Sequence, residues 1–278
     1  MPPALIVSLL VFCTAFAAAA ARAEPSYGNE VPPASVVTQV DQLAPQRPGT
    51  VDLYAIVVGG DGMEEVFGRE VAQVRRVLEQ RFDAGGRIVT LVNTRESPEP
   101  EATLRSLAYA LKRVAEKMDR NEDILFLHLT THGGSNHVLV LNHPQIELYG
   151  LSPRYLKALI DQSGIRYRVV VVSACYSGAF VPPLANPNAL VITAANANRQ
   201  SFGCGKKSPI TEFSKAFYLE ALRDTRSFPL AARDAMRIVH ETELAQGRKH
   251  SYPQMRLGAA LEETLKNLEQ RLANGSGR

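Results

Sequence analysis

Continuous apolar runs alternate along this chain with segments in which apolar residues recur every three or four positions. The continuous runs predict buried strands, and the recurring positions predict amphipathic helices. The predicted strands cover residues 51–59, 87–93, 123–131, 167–174 and 190–195. The predicted helices cover about 63–82, a segment after Pro100, about 153–162, 211–223 and 229–244, and a last segment striped by leucines from Leu257 to Leu272.

This alternation favours one α/β domain, in which helices cover both faces of a mostly parallel sheet. We place that domain at residues 51–273, and we expect residues 274–278 to form a disordered tail. Residues 137–147 predict a hairpin between the third and fourth strands. Residues 24–50 are rich in Pro, Ser, Gln and Val without a clear period, which predicts a flexible leader.

Residues 1–23 have the pattern of a secretory signal peptide. An apolar run begins at Leu5, and Ala21-Arg22-Ala23 fits a small-x-small cleavage site before Glu24. We therefore expect an exported protein, either periplasmic or secreted. The alternative is an uncleaved anchor, but the apolar part is short for a spanning helix, so we expect no stable membrane insertion after cleavage.

The composition of the chain indicates which kinds of binding partner to expect. The chain has 278 residues, of which 45% are hydrophobic and 21% charged, as is usual for a globular protein. Its net charge is +3 and it has no block of Lys and Arg, so we expect no nucleic-acid partner.

Cleavage of the signal peptide would remove Cys13 and leave Cys175 and Cys204. An oxidising compartment would allow these two to pair, but we expect separate thiols in the active protein.

Two residues at predicted strand ends carry the strongest candidate chemistry. His132 follows the third strand and Cys175 follows the fourth. Open α/β sheets place their sites at the carboxyl edge of the strands. An imidazole and a thiolate brought together there form a cysteine-dependent acyl-transfer site.

A lone cysteine is more often an inert core residue, and a histidine at a turn is often structural. Two features weigh against that interpretation for Cys175. It ends its strand, and it precedes Ser177-Gly178, whose backbone N–H groups can lower a thiol pKa and stabilise an oxyanion. His128 lies inside the strand, so we expect a core histidine there. No paired-ligand spacing is present, so we expect no metal and no cofactor.

Two motifs resemble those of legumain-like cysteine peptidases, which have the caspase–haemoglobinase fold. They are Thr131-His132-Gly133 and residues 173–178, which read SACYSG. Residues 193–196 and 201–204 are similar to the segment after the next strand in that family. The resemblance covers about residues 52–222. It implies a caspase-like three-layer sandwich that acts on peptides or proteins.

The resemblance also implies a mechanism. Cys175 attacks a peptide carbonyl and forms a thioester, while His132 transfers protons. The backbone N–H groups of Cys175 and Gly133 form the oxyanion hole. If water then releases the acyl group from Cys175, the protein is an endopeptidase. If an amine releases it, the protein is a transamidase or peptide ligase. A non-catalytic peptide-binding relative is a further alternative.

The expected substrate pocket departs from the family pattern. Many legumains have an acidic residue directly after the cysteine, where this chain has Tyr176. Ser201 and Glu212 resemble pocket residues of the family, and Asp61 is the nearest polar group after the first strand. Arg69 is a candidate pocket cation, with a solvated helix residue as the alternative. The preference of legumains for Asn or Asp therefore does not transfer to this chain.

Overall fold

The computed structural model describes residues 31–205 and 208–275 of the chain. Within these ranges six strands form one sheet in the order β2-β1-β3-β4-β5-β6. The strands are β1 Leu53–Gly59, β2 Ile88–Val92, β3 Ile124–Thr130, β4 Tyr167–Ser173, β5 Ala189–Thr193 and β6 Gln254–Leu257. Strands β1 to β5 are parallel, and β6 pairs antiparallel with β5. The carboxyl ends of β1 to β5 therefore lie along one edge of the sheet.

Helices follow the strands throughout the described ranges. They are α1 Ala34–Asp41, α2 Glu65–Phe82, α3 Leu104–Lys117, α4 Pro153–Ser163, α5 Val181–Leu184, α6 Glu212–Ser214, α7 Leu222–Asp224, α8 Phe228–Ala245 and α9 Ala259–Gly275. The π-helical turn Lys215–Ala221 joins α6 to α7. Side-chain caps define where some helices begin. The Thr103 hydroxyl accepts the Ser106 N–H at 3.0 Å before α3, which satisfies a donor that has no partner inside the helix.

Each face of the sheet buries its own apolar core, because side chains alternate across a strand. From β1, Tyr54 and Ile56 pack on one face with α1, α3 and α4. Leu53, Ala55 and Val57 pack on the other face with α2, α8 and α9. Two helical layers thus enclose the sheet, which confirms the predicted α/β three-layer sandwich.

The five predicted strands are all present, and no end differs from the prediction by more than two residues. Strand β6 was not predicted, because its half-exposed side chains leave no continuous apolar run. The predicted hairpin at residues 137–147 is largely wrong, because the pairing that the structure describes within it is a single antiparallel bridge, His143 with Ile146. Leu139 forms isolated bridges with both Gly133 and Leu151, so this segment pairs mainly with its neighbours and forms no regular two-stranded unit.

The predicted flexible leader is also wrong for the part that the structure describes. Helix α1 packs on the domain, with Val36 and Val40 fully buried. The Gln39 side chain donates to the Thr90 carbonyl at 3.0 Å and accepts the Thr90 N–H at 2.9 Å. Only two residues of α1 are buried, so its sequence carries too weak a periodicity to reveal the helix.

The two predicted terminal segments lie largely outside the described residues. The expected signal peptide at 1–23 falls there, as do residues 276–278 of the expected tail. Asn274 and Gly275 belong to α9, so the expected disorder is wrong for these two residues. No helix in the described part of the chain combines the length and apolarity needed to cross a membrane.

Candidate active site

His132 and Cys175 are brought together by the register of two parallel strands. Thr130 of β3 pairs with Ser173 of β4, and each candidate residue lies two positions beyond its member of that pair. A Cβ added to Gly133 would overlap the carbonyl oxygen of Cys175, so the two main chains are in direct contact. Both candidate side chains are half-buried at the edge of the sheet.

In the turn that follows β4, each residue has its own structural role. Tyr176 adopts the left-handed conformation with φ of 57°, which turns the chain sharply after the cysteine. The Ser177 hydroxyl accepts the N–H of Ala195 at 3.1 Å. A Cβ on Gly178 would overlap the backbone nitrogen of Ala197. The Tyr-Ser-Gly sequence thus anchors the cysteine turn against the segment after β5.

Two backbone donors lie beside the candidate nucleophile. In the described part of the chain, the N–H groups of Gly133 and Cys175 donate no hydrogen bond. The next amide, that of Gly134, donates to the Val138 carbonyl at 3.0 Å and holds the turn in place. Backbone N–H groups without an internal acceptor are available to stabilise a carbonyl oxygen as it becomes negatively charged.

The His132 ring is oriented by an aromatic contact that sequence reasoning missed. The centroid of the Phe67 ring lies 5.1 Å from that of His132, at an interplanar angle of 87°. Phe67 belongs to α2 and is only 1% exposed. Phe67 lies on the apolar stripe of α2, so the sequence predicted that it is buried. Helix periodicity does not predict that it contacts His132.

Ser201 contacts the thiol directly. Its carbonyl oxygen accepts the Cys175 S–H at 3.5 Å, and its hydroxyl lies 3.8 Å from the same sulfur. Cys204 follows on the same segment, and both cysteines are free thiols, as expected. Burial raises the pKa of the Cys204 thiol, and the nearby Cys175 raises that pKa further.

Glu212 and Arg69 form polar contacts around the Ser201 segment. Glu212 pairs with Arg248 at 3.0 Å, and the Arg248 guanidinium lies 4.8 Å from the centre of the Phe202 ring. Arg69 donates to the Ser208 carbonyl at 2.8 Å and so links α2 to the same segment. Glu212 and Arg69 therefore lie at this side of the site, and their contact with a substrate stays a prediction.

Asp61 holds the turn after β1. It is 5% exposed, and its Oδ1 accepts the Met63 N–H at 2.8 Å and the Asn142 side-chain amide at 3.2 Å. The first bond closes the turn itself, and the second connects the end of β1 to the loop after β3. The predicted contact of Asp61 with substrate remains a prediction.

Comparison with known protein families shows to which family the chain belongs. The model of the peptidase C13 family matches residues 53–262, which include all six strands and both candidate catalytic residues. The chain belongs to the peptidase C13 family. This membership confirms the legumain-like resemblance, indicates a cysteine peptidase, and implies peptide or protein substrates. No curated protein matches the chain.

Beneath the sheet edge, this C13 family member contains a buried histidine. His128 is fully buried, with Nε2 3.0 Å from the Glu70 carboxylate and Nδ1 2.9 Å from the Tyr218 hydroxyl. Because a carboxylate only accepts hydrogen bonds, Nε2 carries the proton. The prediction of a core histidine is confirmed. Burial and the nearby Glu70 raise the pKa of Tyr218, so its hydroxyl stays protonated.

Glu70 connects this histidine to the end of β4 in the C13 domain. Its carboxylate accepts the Ser214 hydroxyl at 2.6 Å and the Thr211 N–H at 3.1 Å. The Thr211 hydroxyl lies 2.9 Å from that of Ser173, two residues before the candidate nucleophile. Burial alone would raise the pKa of Glu70, but the hydrogen bonds from His128, Ser214 and Thr211 lower it overall. The described residues hold no cluster of His, Cys, Asp and Glu suited to a metal ion.

Proposed function

We propose that the chain is an exported cysteine endopeptidase that cleaves peptide bonds through Cys175 and His132. The observation that supports this most is the β3–β4 register, which sets both residues two positions beyond a paired strand end. Contact between Gly133 and the Cys175 main chain adds two backbone donors at the same point. Export rests on the signal-like pattern of residues 1–23.

In the acylation step, His132 takes the proton from the Cys175 thiol and the thiolate attacks the peptide carbonyl carbon. The carbonyl oxygen becomes negative and accepts hydrogen bonds from the N–H groups of Gly133 and Cys175. The C–N bond then breaks, and the imidazolium of His132 returns its proton to the leaving amine. The acyl part remains on Cys175 as a thioester.

In the deacylation step, water attacks the thioester while His132 accepts one of its protons. The C–S bond breaks, the carboxylic acid leaves, and the proton returns to the sulfur. The same thioester is the intermediate of a transamidase or peptide ligase, in which an amine replaces the water. Hydrolysis and amide formation therefore differ only in the second nucleophile.

The proposal is tested by digesting a peptide library with the wild type, Cys175→Ala and His132→Ala. Cys175→Ala is expected to cleave nothing, because it has no nucleophile. His132→Ala is expected to lose about 10²–10⁴-fold in rate, the usual contribution of a general acid–base group. His240→Ala, on the exposed side of α8, is the matched control and should match the wild type. Products are identified by mass spectrometry.

Two results would change the proposal. Equal cleavage by Cys175→Ala and the wild type would rule out the mechanism. A second digest with an added amine separates the two activities, since a ligase accumulates amide products whereas an endopeptidase yields free acids.

A further inference from the structure

Two tyrosines near the nucleophile have a backbone conformation that bulky side chains rarely adopt. Tyr176 has φ of 57° and Tyr252 has φ of 51°. In this region the Cβ crowds the backbone, so the conformation persists only where surrounding contacts impose it. Such strain concentrates at functional sites. Tyr252 is also 52% exposed, which leaves its ring open to a ligand.

Arg199 joins the two tyrosines. The Tyr176 N–H donates to the Arg199 carbonyl at 2.7 Å, and the Arg199 guanidinium carbon lies 5.6 Å from the centre of the Tyr252 ring. The side-chain amide of Gln200 donates to the Tyr176 hydroxyl at 3.4 Å. These contacts form a continuous surface, here named the Tyr176–Arg199–Tyr252 rim, which begins at the residue after the nucleophile.

The charge on the rim is not balanced by the protein. Arg199 is exposed and makes no ion pair with any residue that the structure describes. The carboxylates of the neighbouring segments are already engaged, Glu212 with Arg248 and Glu243 with His250. A substrate carboxylate placed at the rim would therefore meet a cation that has no competing acidic partner in the described chain.

The stacked arrangement suits carboxylate recognition. A guanidinium that lies over an aromatic ring uses its face for that contact, and its N–H donors point outward in the plane. Those donors match the two oxygens of a carboxylate. Stacking also restricts the side chain before binding, so less conformational entropy is lost when the substrate binds.

We propose that the Tyr176–Arg199–Tyr252 rim is a second subsite, which binds an acidic side chain of the peptide substrate. This residue flanks the cleaved bond and is different from the one that enters the pocket beside Ser201 and Glu212. The inference rests on the proposed peptidase function, because it names a substrate class for the same site.

The test compares peptides that differ only in Glu, Gln or Lys at each position flanking the cleaved bond. At one of these positions the wild type is expected to show a kcat/KM for Glu about five- to tenfold above that for Lys. Arg199→Gln is expected to reduce the ratio to about one, and Arg199→Lys to give an intermediate value, since it keeps the charge without the planar fork. Molar salt is expected to weaken the wild-type preference.

Arg154→Gln is the matched control. Arg154 is an exposed arginine of α4, and its replacement should leave the Glu/Lys ratio unchanged. Equal cleavage of Glu and Lys peptides by the wild type at every flanking position would overturn the subsite. An unchanged ratio in Arg199→Gln would overturn it as well.

Binding to the inactive Cys175→Ala protein separates this inference from the proposed function. Fluorescence anisotropy with labelled Glu and Lys peptides is expected to show the same charge preference, lost on adding Arg199→Gln. If the wild type cleaves nothing but this preference is present, the peptidase proposal fails and the subsite stands. If the wild type cleaves peptides but binding shows no preference, the subsite fails and the peptidase proposal stands.

Discussion

Two histidines lie four residues apart, one inside a strand and one beyond its end, and they differ in burial and in hydrogen bonding. His128, inside β3, is fully buried and has both ring nitrogens engaged. His132, beyond the strand end, is half-buried and has no hydrogen bond on its ring within the described residues. Position relative to the strand end, and not residue type, therefore determines which of the two imidazoles has ring nitrogens that the protein leaves unengaged.

The neighbours of each ring explain the difference. Inside the sheet, α2 supplies Glu70 and the π-helical turn supplies Tyr218, so the His128 ring is held from both sides. At the edge, α2 supplies Phe67, whose ring contacts the His132 ring without engaging its nitrogens. A proton on the buried ring is fixed by its partners, whereas one on the edge ring can move to a reacting group.

The largest difference between the two histidines is expected in stability, when each is replaced by alanine and unfolding in urea is measured. His128→Ala is expected to lower the free energy of unfolding by about 3–5 kcal/mol, because it leaves the buried Glu70 carboxylate without its partner. His132→Ala is expected to lose about 1 kcal/mol or less, the contribution of its contact with Phe67.

Turnover by the folded fraction should show the reverse order, with a large loss only in His132→Ala. A stable but inactive His128→Ala protein would contradict the assignment of the two roles. Equal destabilisation by both variants would do so as well.

Glu70→Gln is expected to change stability less than His128→Ala. The change is measured as the dependence of the free energy of unfolding on pH. The pKa of Glu70 is lowered from its ordinary value of 4.5, so its stabilising contribution is complete above that pH. It is lost as the pH falls through the lowered pKa of the folded state. Glu70→Gln should therefore lose about 1–3 kcal/mol near neutral pH, where one amide oxygen replaces two acceptors, and should flatten the acid side of the stability curve.

Glu79→Gln provides the control for this measurement. Glu79 also lies on α2 but forms an exposed pair with Arg75, so its replacement should change stability by about 0.5 kcal/mol or less. If the acid side of the curve stays as steep in Glu70→Gln as in the wild type, the buried carboxylate is not the group that titrates.

The smallest effect is expected in the reactivity of the two thiols, both of which are half-buried. Since burial raises the pKa of Cys204, its thiolate fraction at neutral pH is small. Iodoacetamide should therefore label Cys175 severalfold faster than Cys204 at pH 7, as measured by mass spectrometry of the labelled peptides. Faster labelling of Cys204 would contradict the assignment, and the unfolded chain, in which both thiols are exposed, is the reference.

The sequence predicted the strands and the candidate pair for the same physical reason. Parallel strands buried on both faces leave continuous apolar runs, and a glycine or a turn marks where each run ends. His132 and Cys175 are thus visible as chemical groups at marked strand ends. Strand β6, at the antiparallel edge of the sheet, lacks such a run and was missed.

The buried network could not be predicted, because its members are distant along the chain. Glu70 and Ser214 are separated by 144 positions, and each lies on a helix whose pattern indicates only burial. The segment around Tyr218 predicted one ordinary helix, whereas the structure contains a π-helical turn there. Periodicity identifies which face of an element is buried, but not which polar groups meet once the elements pack.

The contact between Gln39 and Thr90 has a consequence for how the protein behaves at high concentration. Strand β2 is the outermost parallel strand, and an open strand edge can recruit a strand from another molecule and start aggregation. The Gln39 amide occupies the N–H and C=O of Thr90 as a neighbouring strand would. Helix α1 lies outside the range of the family match, yet it covers this edge of the sheet and so limits pairing with a strand from another molecule.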